Sequence, residues 1–274
     1  MVIQSIFLTA TDTGVGKTYF SIKIIQDLID SGAYARDQIA YYKPIQCGSE
    51  LTQEGLETDF NKVAKATGVD VYNTYFLKHP ASPHYAAELE GVEISLEKIL
   101  ADFNSIKNMN LPAKAHIQGL RSDDERSLLS VNELRRSERN AVEESSRVNS
   151  KYRFVLVEGA GGIAVPLNKC ELVSDLVVKL DLPLVIVTRP DLGTINHSLI
   201  TLGHAKKKNL EILGLLVSEP SQTGEQYSIN DAEFLIKQRE NSIKTICEMM
   251  DVRLLNVASL AVIARSETTW QSRK

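Results

Sequence analysis

The chain has 274 residues, 43% hydrophobic and 24% charged, with a formal net charge of −4 and a pI near 5.8. That is globular composition with apolar material for a full core, and mild acidity gives no footprint for nucleic acid or an acidic membrane. Three cysteines, Cys47, Cys170 and Cys247, are too few and too scattered for a disulfide framework or a zinc site. Residues 1–8 lack the pattern of a secretory signal. No apolar run approaches the roughly 20 residues of a membrane span, so a cytoplasmic protein is expected.

In chain order, the β-branched run 2–8 reads as a short buried strand. After a loop at 10–17, Phe20, Ile24, Ile25, Leu28 and Ile29 share one helical face, and Gly32 offers a stop. IAYYKPI at 39–45 reads as a second strand, broken by Pro44, with helices to follow at 57–67 and 95–106. FVLV at 154–157 is the strongest strand and leads into a glycine-rich loop; 182–188 and 210–217 repeat the theme around a helix at 194–208. Short buried strands alternating with helices predict a parallel sheet covered on both faces, with ligands at the carboxyl ends of its strands. Residues 108–150 are charged and without apolar periodicity, and read as an insertion. The expected organisation is one α/β domain over 1–260 carrying that insertion, with a tail at 261–274.

ATDTGVGKT at 10–18 carries the chemistry most plainly. Gly14 and Gly16 let the backbone curl so that successive N–H groups face phosphate oxygens, and the helix that follows adds its partial positive charge. Lys17 would reach the β- and γ-phosphates, and the Thr18 hydroxyl would meet Mg2+. The strict pattern asks for glycine where this chain has Thr11. A glycine-rich helix entry with a surface lysine is the plain alternative.

Phosphoryl transfer also needs carboxylates and a further cation. Glu158, directly after the strand 154–157, is placed as a metal-binding acid, or else as a strand-end carboxylate. Asp59 opens a helix, where it could equally be a cap. Lys43 ends an apolar strand and is either a solvated lysine or a neighbour of the phosphate loop. His84 reads as a loop residue and Cys47 as no obvious nucleophile.

Taken together, ATDTGVGKT, YYKPIQCGSE, ASPH, FVLVEGAGG and DLGTINHS occur in the order and context seen in dethiobiotin synthetases, which this chain resembles over 2–107 and 153–217. The resemblance implies a P-loop three-layer α/β fold with a mostly parallel sheet of about seven strands, and a homodimer. It implies ATP-dependent closure of the ureido ring of dethiobiotin from 7,8-diaminopelargonate and CO2, through a carbamate that ATP phosphorylates. By the same resemblance Lys17 and Lys43 stabilise the carbamate and the transferring phosphoryl group, and Thr18, Asp59 and Glu158 hold Mg2+. Thr13, Gly14, Val15, Gly16, Tyr19 and Ser218 would line the nucleotide, and Cys47, Gly159, Ala160 and Gly161 the diamine. Gly193, Thr194 and Asn196 would offer a helix N-terminus to the substrate carboxylate across the dimer interface.

The sequence departs from the family in places. Cys47 stands where some members carry serine, and Ser218, followed by Glu219 and Pro220, stands where some carry an asparagine that reads adenine. NVAS at 256–259 lacks the family's proline. Three alternatives stay open: a partitioning- or septum-type switch ATPase, a cobalamin-pathway amidating synthetase, and a non-catalytic nucleotide binder. The first normally carries an early loop lysine where this chain has Ala10 and Thr11, and the second a glutaminase domain for which the chain is too short.

Overall fold

The computed structural model describes residues 4–52, 55–109, 150–218 and 232–265. Its strands are β1 (Gln4–Ala10), β2 (Ile39–Cys47), β3 (Glu50–Thr52), β4 (Gly55–Glu57), β5 (Asp70–Leu77), β6 (Phe154–Gly162), β7 (Leu184–Thr188) and β8 (Ile212–Val217). Its helices are α1 (Lys17–Asp30), α2 (Asp59–Thr67), α3 (Pro83–Leu89), α4 (Leu96–Lys107), α5 (Val173–Leu180), α6 (Thr194–Lys207), α7 (Ala232–Met250) and α8 (Val257–Arg265). Six strands form one sheet in the order β5-β2-β6-β1-β7-β8, and every pairing is parallel. β3 and β4 make a separate antiparallel hairpin.

Side-chain alternation along each strand divides the core into two layers. Ile6, Leu8, Tyr41, Phe154 and Leu156 pack with Phe20, Ile24, Ile25 and Leu28 of α1, Phe60 and Val63 of α2, and Leu260 of α8. Phe7, Tyr42, Val155 and Val157 face the other way, against α3, α4, α5, α6 and α7. A fully buried Leu, Ile or Phe stabilises by about 1.5–3 kcal/mol. The stripe on α1 is thus what holds the phosphate loop against the end of β1.

The resemblance implies a sheet of about seven strands, against six in the main sheet among the described residues. A remnant of a further strand lies beside β8. Leu215 and Leu254 form a parallel bridge, with Leu215 N–H donating to Arg253 O (3.0 Å) and Leu255 N–H to Leu215 O (2.7 Å).

Three local expectations are corrected. Pro44 does not break β2: pairing with β6 ends at Tyr42, and the ladder with β5 passes over Pro44 alone, running from Lys43↔Asn73 to Ile45↔Tyr75, as befits proline where the strand is paired on one side. β6 does not stop at Val157 but runs to Gly162, the register slipping between Leu8 and Ala10 so that Ala10 pairs with Gly162. His84 belongs to α3, not to a loop, because Pro83 starts the helix there. The β3–β4 hairpin had no expectation attached to it. Most of the expected insertion at 108–150, Glu219 and Pro220, and the chain beyond Arg265 lie outside the described residues. Helix α8 runs through residue 260, the expected domain end.

Candidate active site

Between β1 and α1, the loop folds so that Gly16, at φ 101°, caps α1 in the left-handed region that side chains avoid. No side chain caps α1 and no acid lies in its first turn, so its leading N–H groups and dipole are left to an anion. Thr13 N–H donates to Asp12 Oδ1 (2.7 Å), and Lys17 Nζ to the Asp12 carbonyl (3.3 Å). Thr11, the departure from the strict loop pattern, extends the strand instead: its N–H donates to Val187 O (2.9 Å).

The carboxylates gather beside this loop. Phe154, Leu156 and Glu158 share one face of β6, so Glu158 is the charged end of an apolar row and is wholly buried. Lys43 follows Tyr41 on the matching face of β2, and its Nζ reaches Glu158 Oε1 (2.8 Å) and pairs with Asp59. Thr18 Oγ1 donates to Glu158 Oε1 (3.1 Å). Ser21 Oγ (2.6 Å) and Tyr41 OH (2.9 Å) donate to Glu158 Oε2. Asp59 is not the helix cap: Thr58 is, accepting from Asn61 N–H (3.2 Å), which leaves Asp59 free for Lys43.

Charge follows from this packing. Burial works against the Lys43 ammonium, but Glu158 and Asp59 outweigh it and hold it above the ordinary lysine value. Burial likewise opposes the Asp59 carboxylate, and Lys43 with a hydrogen bond from Thr18 keeps it below its ordinary value. For Lys17 burial wins: although Glu158 pulls the other way, the ammonium is pushed below its ordinary value, with Lys43 adding to the push. A buried lysine short of negative charge suits a site that an anionic phosphate completes.

The other expected residues spread around the cluster. Val15 is buried in the core, so only its backbone can face a nucleotide. Tyr19 is half exposed on α1, and Ser218, whose N–H donates to Thr188 O (2.8 Å), directly follows β8 close to Gly16. Cys47 closes β2, and burial pushes its thiol up to about 11, against the pull of Lys43. Ala160 and Gly161 lie at the loop end of β6, but the smallness of Gly159 has a packing cause: a Cβ there would fall 2.8 Å from the Phe7 ring. Gly193 caps α6 without a side-chain partner, and Asn196 is exposed one turn on. Thr194 is turned inward, its hydroxyl 3.0 Å from Thr188 Oγ1 and its N–H on Asp191 O.

Sequence reasoning missed Ser21, Tyr41, Asp12 and Arg189. Two of these left a signal. Ser21 follows Thr18 by three on one helix, and Tyr41 precedes Lys43 by two on one strand, so each shares a face with a residue already singled out. Arg189 Nη2 meets Asp12 Oδ2 (3.2 Å) across the loop, a pairing that no local spacing announces.

A strand, a glycine-bearing GKT loop and a helix, on a parallel sheet with an acid on the adjacent strand, make this a P-loop nucleotide-binding α/β protein. A family model described as an AAA domain matches residues 4–262. The chain is 30% identical over 263 residues to the ATP-dependent dethiobiotin synthetase of Methanococcus vannielii, covering 93% of this chain and 92% of that protein. The corresponding protein of Anoxybacillus flavithermus is 33% identical over 239 residues, covering 84% and 86%. That of Bacillus velezensis is 32% identical over 220 residues, covering 79% and 74%. The MinD cell division protein of Aquifex aeolicus superposes only loosely, with a TM-score of 0.39 at 12% identity over 96% of this chain and 86% of that one. The chain belongs to the ATP-dependent dethiobiotin synthetase family.

Proposed function

We propose that this chain closes the ureido ring of dethiobiotin, consuming 7,8-diaminopelargonate, CO2 and ATP and releasing ADP and phosphate. One amine of the substrate takes up CO2 as a carbamate, the γ-phosphoryl group of ATP activates it, and the second amine attacks the carbonyl carbon and expels phosphate. The observation that carries this reading is Lys43, held by Glu158 and Asp59 beside the phosphate loop. Neither carboxylate nor lysine is suited to attack the substrate there, so the protein contributes positioning and charge, which is what a mixed anhydride forming between two bound reactants requires.

The α1 N-terminus and the loop amides would cradle the phosphates, with Lys17 facing the transferring group. Lys43 would offset the charge that gathers on the carbamate and the γ-phosphoryl oxygens. Mg2+ fits the residues present. Thr18 Oγ1 and Glu158 Oε1 converge to 3.1 Å, Asp59 lies beside them, and an ammonium already bridges the two carboxylates. No group of three or more His, Cys, Asp or Glu side chains forms a metal cage among the described residues. That suits Mg2+, which takes one or two carboxylates and keeps waters and phosphate oxygens for the rest. When bound, the ion would neutralise charge on the β- and γ-phosphates.

We also read the protein as a cytoplasmic homodimer whose sites are completed across the interface. Supporting an interface here, Leu192, just before α6, is 89% exposed beside the helix end expected to meet the substrate carboxylate, and Ile200, about two turns into α6, is 63% exposed. No described helix is long and apolar enough to cross a membrane.

The test is incubation with ATP, Mg2+, the diamine and 13C-bicarbonate. Dethiobiotin heavier by one mass unit, formed in step with ADP, is expected. ADP without labelled product would overturn the reading.

A further inference from the structure

We propose that Tyr41 and Ser21 are positioning residues that lock Glu158 so that a single oxygen, Oε1, is offered to the divalent cation. This rests on the reading of Glu158 as a metal-binding acid. The two oxygens of this carboxylate live in different surroundings. Oε2 takes two neutral hydroxyls, Ser21 Oγ at 2.6 Å and Tyr41 OH at 2.9 Å. Oε1 takes the Lys43 ammonium at 2.8 Å and Thr18 Oγ1 at 3.1 Å. A carboxylate oxygen has about two lone-pair directions, so Oε2 is saturated by donors that cannot leave with a ligand. Oε1 is held by the two groups that the reaction itself would draw towards phosphate and metal.

Burial makes this arrangement stiff. Tyr41, Ser21 and Glu158 are each fully buried, so a turn of the carboxylate would strip two hydroxyls of partners where no water replaces them. An ordinary core position would be filled as well by phenylalanine, which lacks the hydroxyl. The phenol of Tyr41 is instead aimed along β2 at the carboxylate one strand away. The consequence is a choice of ion. Mg2+ demands tight, near-octahedral single-oxygen contacts, whereas Ca2+ accepts a carboxylate through both oxygens. Closing Oε2 to the metal therefore favours the smaller ion.

Metal binding, not turnover, gives the cleanest test. Mn2+ affinity is measured by electron paramagnetic resonance in the presence of a non-hydrolysable ATP analogue, for the full chain and for Tyr41→Phe, Ser21→Ala and Glu158→Gln. Outer-shell partners of a metal ligand change affinity about 10–100-fold, so Tyr41→Phe and Ser21→Ala should each weaken Mn2+ by about tenfold. Ca2+ should compete better against Mn2+ in both. A purely structural role would lower the melting temperature but leave metal affinity and the Ca2+ competition alone. If both variants bind Mn2+ like the parent while Glu158→Gln is weakened, the positioning role is overturned and Glu158 keeps its own. Should Glu158→Gln also bind like the parent, the reading of Glu158 fails and takes this one with it.

Discussion

The two flanks of the phosphate loop are built differently. On the β6 and β2 side, a wholly buried Glu158 is tied to Thr18, Ser21, Tyr41 and Lys43, and Lys43 is tied on to Asp59. Elsewhere around the loop, Tyr19 of α1 is 51% exposed with Lys23 Nζ 5.8 Å from its ring centre, and Ser218, after β8, is only half buried. The first flank is over-determined: each Glu158 oxygen takes two donors, so removing one hydroxyl opens a lone pair of a buried charge without stripping that oxygen of its partner. The second has little to lose. On the proposed reading, the chemistry would rest on a network, whereas recognition of the base would rest on few and replaceable contacts.

The largest effect should come from the tight flank. Lys43→Ala leaves Glu158 buried without its ammonium and removes the cation proposed to face the carbamate. Diamine-dependent turnover should fall by roughly 10²–10³-fold, the usual cost of losing one charge-stabilising donor. Steady-state phosphate release measures it, and unchanged turnover would mean that the network is only structural.

Next comes Cys47, at the edge of that flank. Burial holds its thiol near 11, so at pH 8 it carries about a hundredfold less thiolate than an ordinary cysteine. Iodoacetamide labelling followed by mass spectrometry should show Cys47 lagging the exposed Cys170, with its rate rising about tenfold per pH unit up to that value. Rapid labelling of Cys47 at pH 8 would show the end of β2 to be open.

The smallest effect belongs to the loose flank. Ser218→Asn should alter turnover with ATP by no more than a few-fold, while shifting the preference between ATP and other triphosphates by roughly tenfold, about the worth of one hydrogen bond. Parallel turnover measurements with each nucleotide read it. A large loss of activity with every nucleotide would place Ser218 in the tight network instead.

The same contrast explains what could be read from sequence. Strand, loop and helix around Lys17 were legible because the apolar stripe of α1 and the glycines of the loop are local signals. Glu158, Lys43 and Asp59 were each visible as candidates, with a plain alternative beside each. What resolves the alternatives is pairing across strands: Tyr42 aligns with Val157, which brings the next residues, Lys43 and Glu158, side by side. Asp59 was separable from a helix cap only once Thr58 was seen to do the capping. The continuation of β6 through its glycines and of β2 through Pro44 depends on which neighbour is paired where, and composition carries no trace of that. Ser21 and Tyr41 read as ordinary helix and strand residues until the carboxylate they serve is placed between them.

Phosphate release from ATP with Mg2+ and bicarbonate, with and without 7,8-diaminopelargonate, tests the central claim most directly. Release that depends strictly on the diamine, accompanied by dethiobiotin in the mass spectrum and lowered by roughly 10²–10³-fold in Lys43→Ala, is the predicted result. Diamine-independent hydrolysis with no dethiobiotin formed would contradict it.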